Sequence, residues 1–193
     1  MEKGKESVFR KIWKFLWESE SVWGWIADLL IAFAIVKFVI FPLLNIIFAT
    51  SLPLVIVEST SMLHKNSFEE FWARNSDFYG DFNITLSDFE KFPFKNGFDK
   101  GDIMLIRGQK DYNIGDVIVF RVPGLTTPII HRIIMKDTSN PAFTKYSTKG
   151  DNNAYQLVYE KSILPSQIAG KAIGQVPKLG WIKLIAVKPF QQS

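Results

Sequence analysis

The stretch Trp25–Ala49, WIADLLIAFAIVKFVIFPLLNIIFA, sets the first limit on what this chain can fold into. About 20 apolar residues suffice for a helix to cross the hydrocarbon core of a bilayer. A domain of this size could hardly bury such a helix on every side, so the segment reads as a membrane span. Its two charges fit that reading. Asp28 is near the start, at headgroup level, and Lys37 in the middle is costly unless its long stem lets the amine snorkel. Pro42 predicts a kink.

The flanks orient the span. Lys3, Lys5, Arg10, Lys11 and Lys14 precede it, and Lys65 is the one basic residue shortly after it. The positive-inside rule then places the amino terminus in the cytoplasm and everything after about residue 50 outside. The segment is long and lacks a clean small-x-small cleavage site, which marks it as an uncleaved signal anchor. Ahead of it, Val8, Ile12, Phe15 and Leu16 recur at helical spacing, as in an amphipathic helix on the inner membrane surface. The expected organisation is a cytoplasmic segment over 1–21, a signal anchor over 22–50 and an extracytoplasmic domain over 51–193.

The outer part reads as strands. PLVIVES (53–59), DIMLIRG (102–108), DVIVFRV (116–122), PIIHRIIMK (128–136), FTKYSTKG (143–150) and IAGKAIGQV (168–176) are short, rich in β-branched residues and bounded by turn formers. They predict a mainly β domain, a folded-over sheet or barrel built from hairpins. GDI at 101–103 and GDV at 115–117 read as turns whose aspartates bond nearby backbone. An insert over about 64–98 differs in character, being aromatic and acidic. Ser67 with Glu70, and Ser87 with Glu90, fit capping boxes and predict two short helices. Its aromatics are expected to pack on the sheet, with the outer lipid interface as the alternative. Asn83 opens an N-I-T sequon. The tail LGWIKLIAVKPF is too short to span a membrane and is expected at the outer interface or against the domain.

Composition removes several kinds of chemistry. The chain has no cysteine, so disulfides, thiolate nucleophiles and cysteine-ligated zinc are excluded. Two histidines, His64 and His131, do not make a histidine-rich metal site, and neither a metal nor a cofactor is expected. No arginine-rich helix, RNP-like pattern or zinc-finger spacing points to nucleic acid.

What remains is hydroxyl chemistry. Ser59 and Ser61, in VIVESTSMLH, would share one face if the strand continued through them. A serine hydroxyl needs a base to become a useful nucleophile. His131, in PIIHRII, is the main candidate, since an imidazole changes charge near neutral pH. His64, three residues past Ser61, reads as a turn residue, and a Lys149 base is conceivable as in Ser–Lys enzymes. Asp151, in the tight turn of TKGDNN, is a candidate acid partner for an imidazole.

Taken in order, S-x-S-M, a strand bearing H-R, T-K-G-D-N-N and then VPKLGW resemble the type I signal peptidases. The likeness is to the archaeal and endoplasmic-reticulum branch, which uses histidine where the bacterial branch uses lysine. It covers about residues 25–63 and 99–182. The resemblance implies a β-rich serine endopeptidase domain that cleaves secretory preproteins after small residues at the bilayer surface. It implies Ser61 as nucleophile, Ser59 with the Ser61 backbone N–H as oxyanion hole, His131 as general base and Asp151 as the acid that orients it. Arg132 matches a basic neighbour. This sequence departs from the family in three places: His64 follows where a proline is usual, about 35 residues intervene before the next strand, and Leu157 stands where a second acid often lies, with Glu160 the nearest acid. The large insert and the missing acid leave a second expectation open, an inactive membrane-anchored β module that binds secretory proteins.

Overall fold

The computed structural model describes residues 22–140 and 144–187. The expected amphipathic helix near the amino terminus lies outside the described residues. The chain divides into two units, one ending at Ile47 and one beginning at Phe48.

The first unit is a single helical run, Val22–Ile47, long and apolar enough to cross a membrane. It comprises α1 (Val22–Ile35), a π-helical turn (Val36–Ile40) and α2 (Phe41–Ile47). The π turn has a local cause. Pro42 has no N–H to continue the ladder and its ring crowds the preceding turn. The run widens just before it, and the Phe41 N–H bonds the Val36 carbonyl five residues back. Lys37 lies in this turn, its amine 5.3 Å from the Phe38 ring and 5.8 Å from the Phe33 ring. Such cation–π contacts lower the cost of a charge on an apolar helix.

The second unit is a curled antiparallel sheet of six strands: β1 (Leu54–Ile56), β2 (Ile103–Arg107), β3 (Val117–Phe120), β4 (Ile129–Asp137), β5 (Lys145–Lys149) and β6 (Ile168–Val176). All six expected strands form, with β1 shorter than its sequence run. Their order is β1-β2-β6-β3-β4-β5, so the last strand returns to the centre and separates the β1–β2 pair from the β3–β4–β5 meander. Period-two alternation fills both faces. Val117 and Val119 join a core with Met62, Met104, Ile106 and Ile130, while Ile118 and Phe120 join Tyr112, Ile133, Tyr146 and Ile163. The turn aspartates behave as expected: Asp102 accepts from Asp99 N at 2.8 Å and Asp116 from Asn113 N at 3.0 Å.

The insert forms two helices, α3 (Phe68–Gly80) and α4 (Leu86–Phe89). Ser67 caps α3, accepting from Glu70 N at 3.3 Å. The second cap is not Ser87. Thr85 caps α4 in a reciprocal box with Asp88, because T-L-S-D supplies an acid at the third helical position two residues earlier. The insert has its own core, in which Phe71, Tyr79, Ile84 and Phe89 pack on Ile134 of β4. Its aromatics thus pack on the sheet. The Tyr79–Phe89 edge contact, at 4.9 Å, is the type worth about 0.5–1.5 kcal/mol beyond area burial. At the carboxyl end, Trp181 of α5 (Trp181–Val187) closes over Gly101, whose positive φ and lack of a side chain leave room for the indole.

Candidate active site

The β1 strand ends at Ile56, and the residues that follow are a turn rather than more strand. Leu63 N bonds Thr60 O at 3.1 Å, bending the chain through Ser61 and Met62. Ser59 and Ser61 are therefore not aligned by strand register, yet the turn brings their hydroxyls within 3.0 Å. Met62 is the anchor. It is wholly buried in the main core, and its carbonyl accepts from Phe98 N at 3.0 Å.

The TKGDNN turn clamps this bend. Asn152 N bonds the Ser61 carbonyl at 2.8 Å and Asn152 Nδ2 bonds the Thr60 carbonyl at 3.0 Å. Gly150 lies so close that a Cβ there would fall 2.7 Å from His131 Nε2 and 2.9 Å from the Ser61 carbonyl. No other residue type fits that position without moving the site.

His131 and Arg132 are successive on β4, so they point to opposite faces. His131 turns toward the hydroxyls, with Nε2 2.9 Å from Ser61 Oγ. Its Nδ1 meets Glu160 Oε1. Glu160 is fully buried, and its carboxylate also accepts from Thr148 Oγ1 at 3.2 Å and Leu157 N at 2.9 Å. A carboxylate can only accept, so Nδ1 carries the hydrogen and Nε2 presents its lone pair to Ser61, an assignment made from the partners.

The expected acid, Asp151, is elsewhere. Its oxygens take Arg132 Nε at 3.0 Å and Nη2 at 2.7 Å, Tyr79 Oη at 3.0 Å and His64 Nε2 at 3.1 Å. Burial pushes this carboxyl up, but the Arg132 guanidinium and the His64 contact outweigh it and hold Asp151 well below the carboxylate range. Arg132 is also fully buried. It donates to the Pro93 and Phe94 carbonyls of the insert at 2.8 and 2.9 Å and to the Gly115 carbonyl at 3.0 Å, and lies 4.8 Å over the Phe89 ring. Arg132 and Asp151 thus tie the insert to the turn that holds Ser61. His64 belongs to the same tie, stacked on Phe71 of α3 at 3.6 Å.

Sequence reasoning placed Ser59, Ser61 and His131 together, and the structure brings them together. It missed Glu160, though the signal was present. The 3₁₀ turn Val158–Glu160 follows Leu157. At three residues per turn, residue 160 eclipses residue 157. The carboxylate therefore reaches the region where an acid at 157 would project, and caps the Leu157 N–H as it does so. Lys149 does not reach Ser61. Its amine bonds the Gly150 and Asp151 carbonyls at 3.1 and 3.3 Å and lies 4.8 Å over the Phe78 ring. Burial lowers its pKa against the opposing pull of Asp151 and Glu160.

A groove of about 410 Å³ opens beside Ser61 and His131. Val55, Ile56, Leu125, Ile129 and Ile130 give it an aliphatic wall. Among the described residues, β1 pairs only with β2, and β4 pairs with β5 only from Arg132 onward. The groove is thus bordered by two stretches of strand with an open edge. No cluster of potential metal ligands occurs among the described residues.

No protein-family model matches the chain. Among curated proteins it is similar to the signal peptidase complex catalytic subunit of Saccharomyces cerevisiae, in strains YJM789, RM11-1a and JAY291. Each is 34% identical over 94 residues, covering 45% of this chain and 56% of the relative. The chain therefore spans just over half the length of the relatives it matches. Over that stretch it is homologous to signal peptidase catalytic subunits, and the serine–histidine pair of its site is consistent with that homology.

Proposed function

We propose that this chain is a membrane-anchored serine endopeptidase that removes signal peptides from secretory preproteins, cutting after small residues. The observation that carries the reading is the continuous hydrogen-bond line from Ser61 Oγ through the His131 ring to the Glu160 carboxylate. Glu160, rather than Asp151, is the orienting acid in this reading.

The steps follow from the partners. Ser61 Oγ attacks the scissile carbonyl carbon as His131 Nε2 takes its proton. The resulting imidazolium lies against the buried Glu160 carboxylate, which keeps its own charge and offsets the new one. Negative charge collects on the carbonyl oxygen, where the Ser59 hydroxyl and the Ser61 backbone N–H would donate to it. His131 returns the proton to the leaving amine, and the C–N bond breaks to give an ester on Ser61. Water then attacks that ester as His131 Nε2 takes its proton; the ester C–O bond breaks, His131 returns the proton to Ser61 Oγ, and the signal peptide leaves with a new carboxylate. An extended substrate would pair its backbone with the open strand edges at the groove and place alternate side chains against the aliphatic wall. The apolar helix Val22–Ile47 would anchor the enzyme with its amino terminus in the cytoplasm and the β domain outside. The homology to a complex subunit supports further subunits around this chain as well.

The test is cleavage of a preprotein by the detergent-solubilised full chain. Ser61→Ala and His131→Ala should fall to background, and Ser59→Ala by about 10²–10³ as an oxyanion donor is lost. Normal cleavage by Ser61→Ala refutes the proposal. Binding without cleavage by the unaltered chain would favour the inactive β module.

A further inference from the structure

Asn153 lines the groove beside Ser61 and also a second hollow of about 180 Å³. Leu63, His64, Lys65, Arg74, Asn75 and Asn152 surround that hollow. The two spaces differ in chemistry, since the groove has an aliphatic wall, whereas the hollow adds cations and amides to Phe71, Ala154 and the Asp151 carboxylate. Lys65 and Arg74 are exposed, and neither forms an ion pair among the described residues. Two acids close by, Glu70 and Asp151, are otherwise engaged. Glu70 turns its carboxylate to Asn66, and Arg74 Nε meets only the Glu70 carbonyl, at 3.2 Å. Asp151 is held by Arg132, Tyr79 and His64. His64, its side chain about 1% exposed, is a buried part of the wall and turns Nε2 to Asp151.

We infer that this hollow receives the first residues after the scissile bond and favours acidic side chains there. The inference rests on the proteolytic reading above. Small and apolar residues before the bond match the aliphatic groove, so the chain after the bond leaves past Asn153 toward the hollow. There Lys65 and Arg74 meet a carboxylate. Arg74 belongs to α3 of the insert, so the insert contributes directly to substrate choice. It does so without touching the groove that reads the residues before the bond.

The experiment uses the detergent-solubilised full chain and peptides with one small-residue cleavage site, differing only by Glu or Lys at the second and third positions after it. The ratio of kcat/KM should favour the Glu peptide by about threefold to tenfold at low salt and approach one at high salt, as expected of exposed ion pairs. In a Lys65→Glu/Arg74→Glu double variant the ratio should invert. A ratio near one in the unaltered chain, or one unchanged in the double variant, overturns the inference. Anisotropy titration of the same peptides, fluorescently labelled, onto Ser61→Ala reads the preference as binding. Charge-dependent binding without Ser61-dependent cleavage upholds the hollow and overturns only the proteolytic reading. Binding indifferent to the peptide's charge overturns the hollow.

Discussion

Glu160→Gln separates the two acids near His131. The change keeps the shape of a buried side chain and one acceptor oxygen, which can serve either the Thr148 hydroxyl or the Leu157 N–H. It removes the charge that faces His131 Nδ1. At about 4 Å and an effective dielectric of about 20, an imidazolium and a carboxylate attract by about 4 kcal/mol. That attraction exists only once Ser61 has given up its proton, so its loss raises the barrier rather than weakening substrate binding. At about 1.4 kcal/mol per decade, kcat should fall by about 10³-fold, with KM little changed. The amide can also turn its NH₂ toward Nδ1, reversing the tautomer and deepening the loss. Multiple-turnover cleavage over a range of preprotein concentrations measures kcat and KM, and thermal unfolding of the same sample reports that the fold persists. Asp151→Asn is the control. It strips the partner from a fully buried guanidinium, which costs about 3–5 kcal/mol of stability. If Glu160→Gln stays folded and cleaves within tenfold of the unaltered chain, the assignment of Glu160 as the orienting acid fails.

Gly150→Ala should cut kcat by about 10²-fold, because its Cβ must push His131 Nε2 and the Ser61 carbonyl apart; an active variant with unchanged KM would contradict this. Acid titration should reveal Asp151. A carboxyl held lower in the fold than in the unfolded chain stabilises fully above the unfolded value of about 4 and loses that contribution as pH falls toward its depressed folded value. The stability gap between the unaltered chain and Asp151→Asn should therefore be flat near neutrality and narrow below about pH 4, read by chemical denaturation. Lys149→Met should keep Ser61-dependent cleavage within about tenfold, since its amine bonds backbone carbonyls of the turn and not Ser61 among the described residues; loss to background would revive a lysine base. Removing the chain through Ile47 should leave the β domain folded, because Phe48 O accepting from Gly108 N begins the second unit. We expect the truncated form to retain cleavage of short soluble peptides and lose much of it on membrane-inserted preproteins, whereas equal activity on both would reduce the anchor to a localising device.

Much of this protein was legible from local pattern. The apolar run that became Val22–Ile47 is one-dimensional information, since length and hydropathy alone decide whether a helix can cross a bilayer. The six strands were legible because alternation and β-branching act over a few residues. The Ser61–His131 pair was legible only through the order of motifs, as nothing in the spacing of residues 61 and 131 says that they meet. Three features belonged to the tertiary structure alone. The serines are neighbours across a turn and not along a strand, because buried Met62 and the Asn152 bonds bend the chain there. Asp151, the acid nearest to His131 in the sequence motif, is claimed by Arg132, because a guanidinium buried beneath the insert needs a charge-balancing partner more than an imidazole does. Glu160 then meets His131, since a 3₁₀ turn carries it back over Leu157. Local sequence fixes which elements form, but which carboxylate meets which base is decided by competition among buried charges, and that competition exists only after the elements have packed.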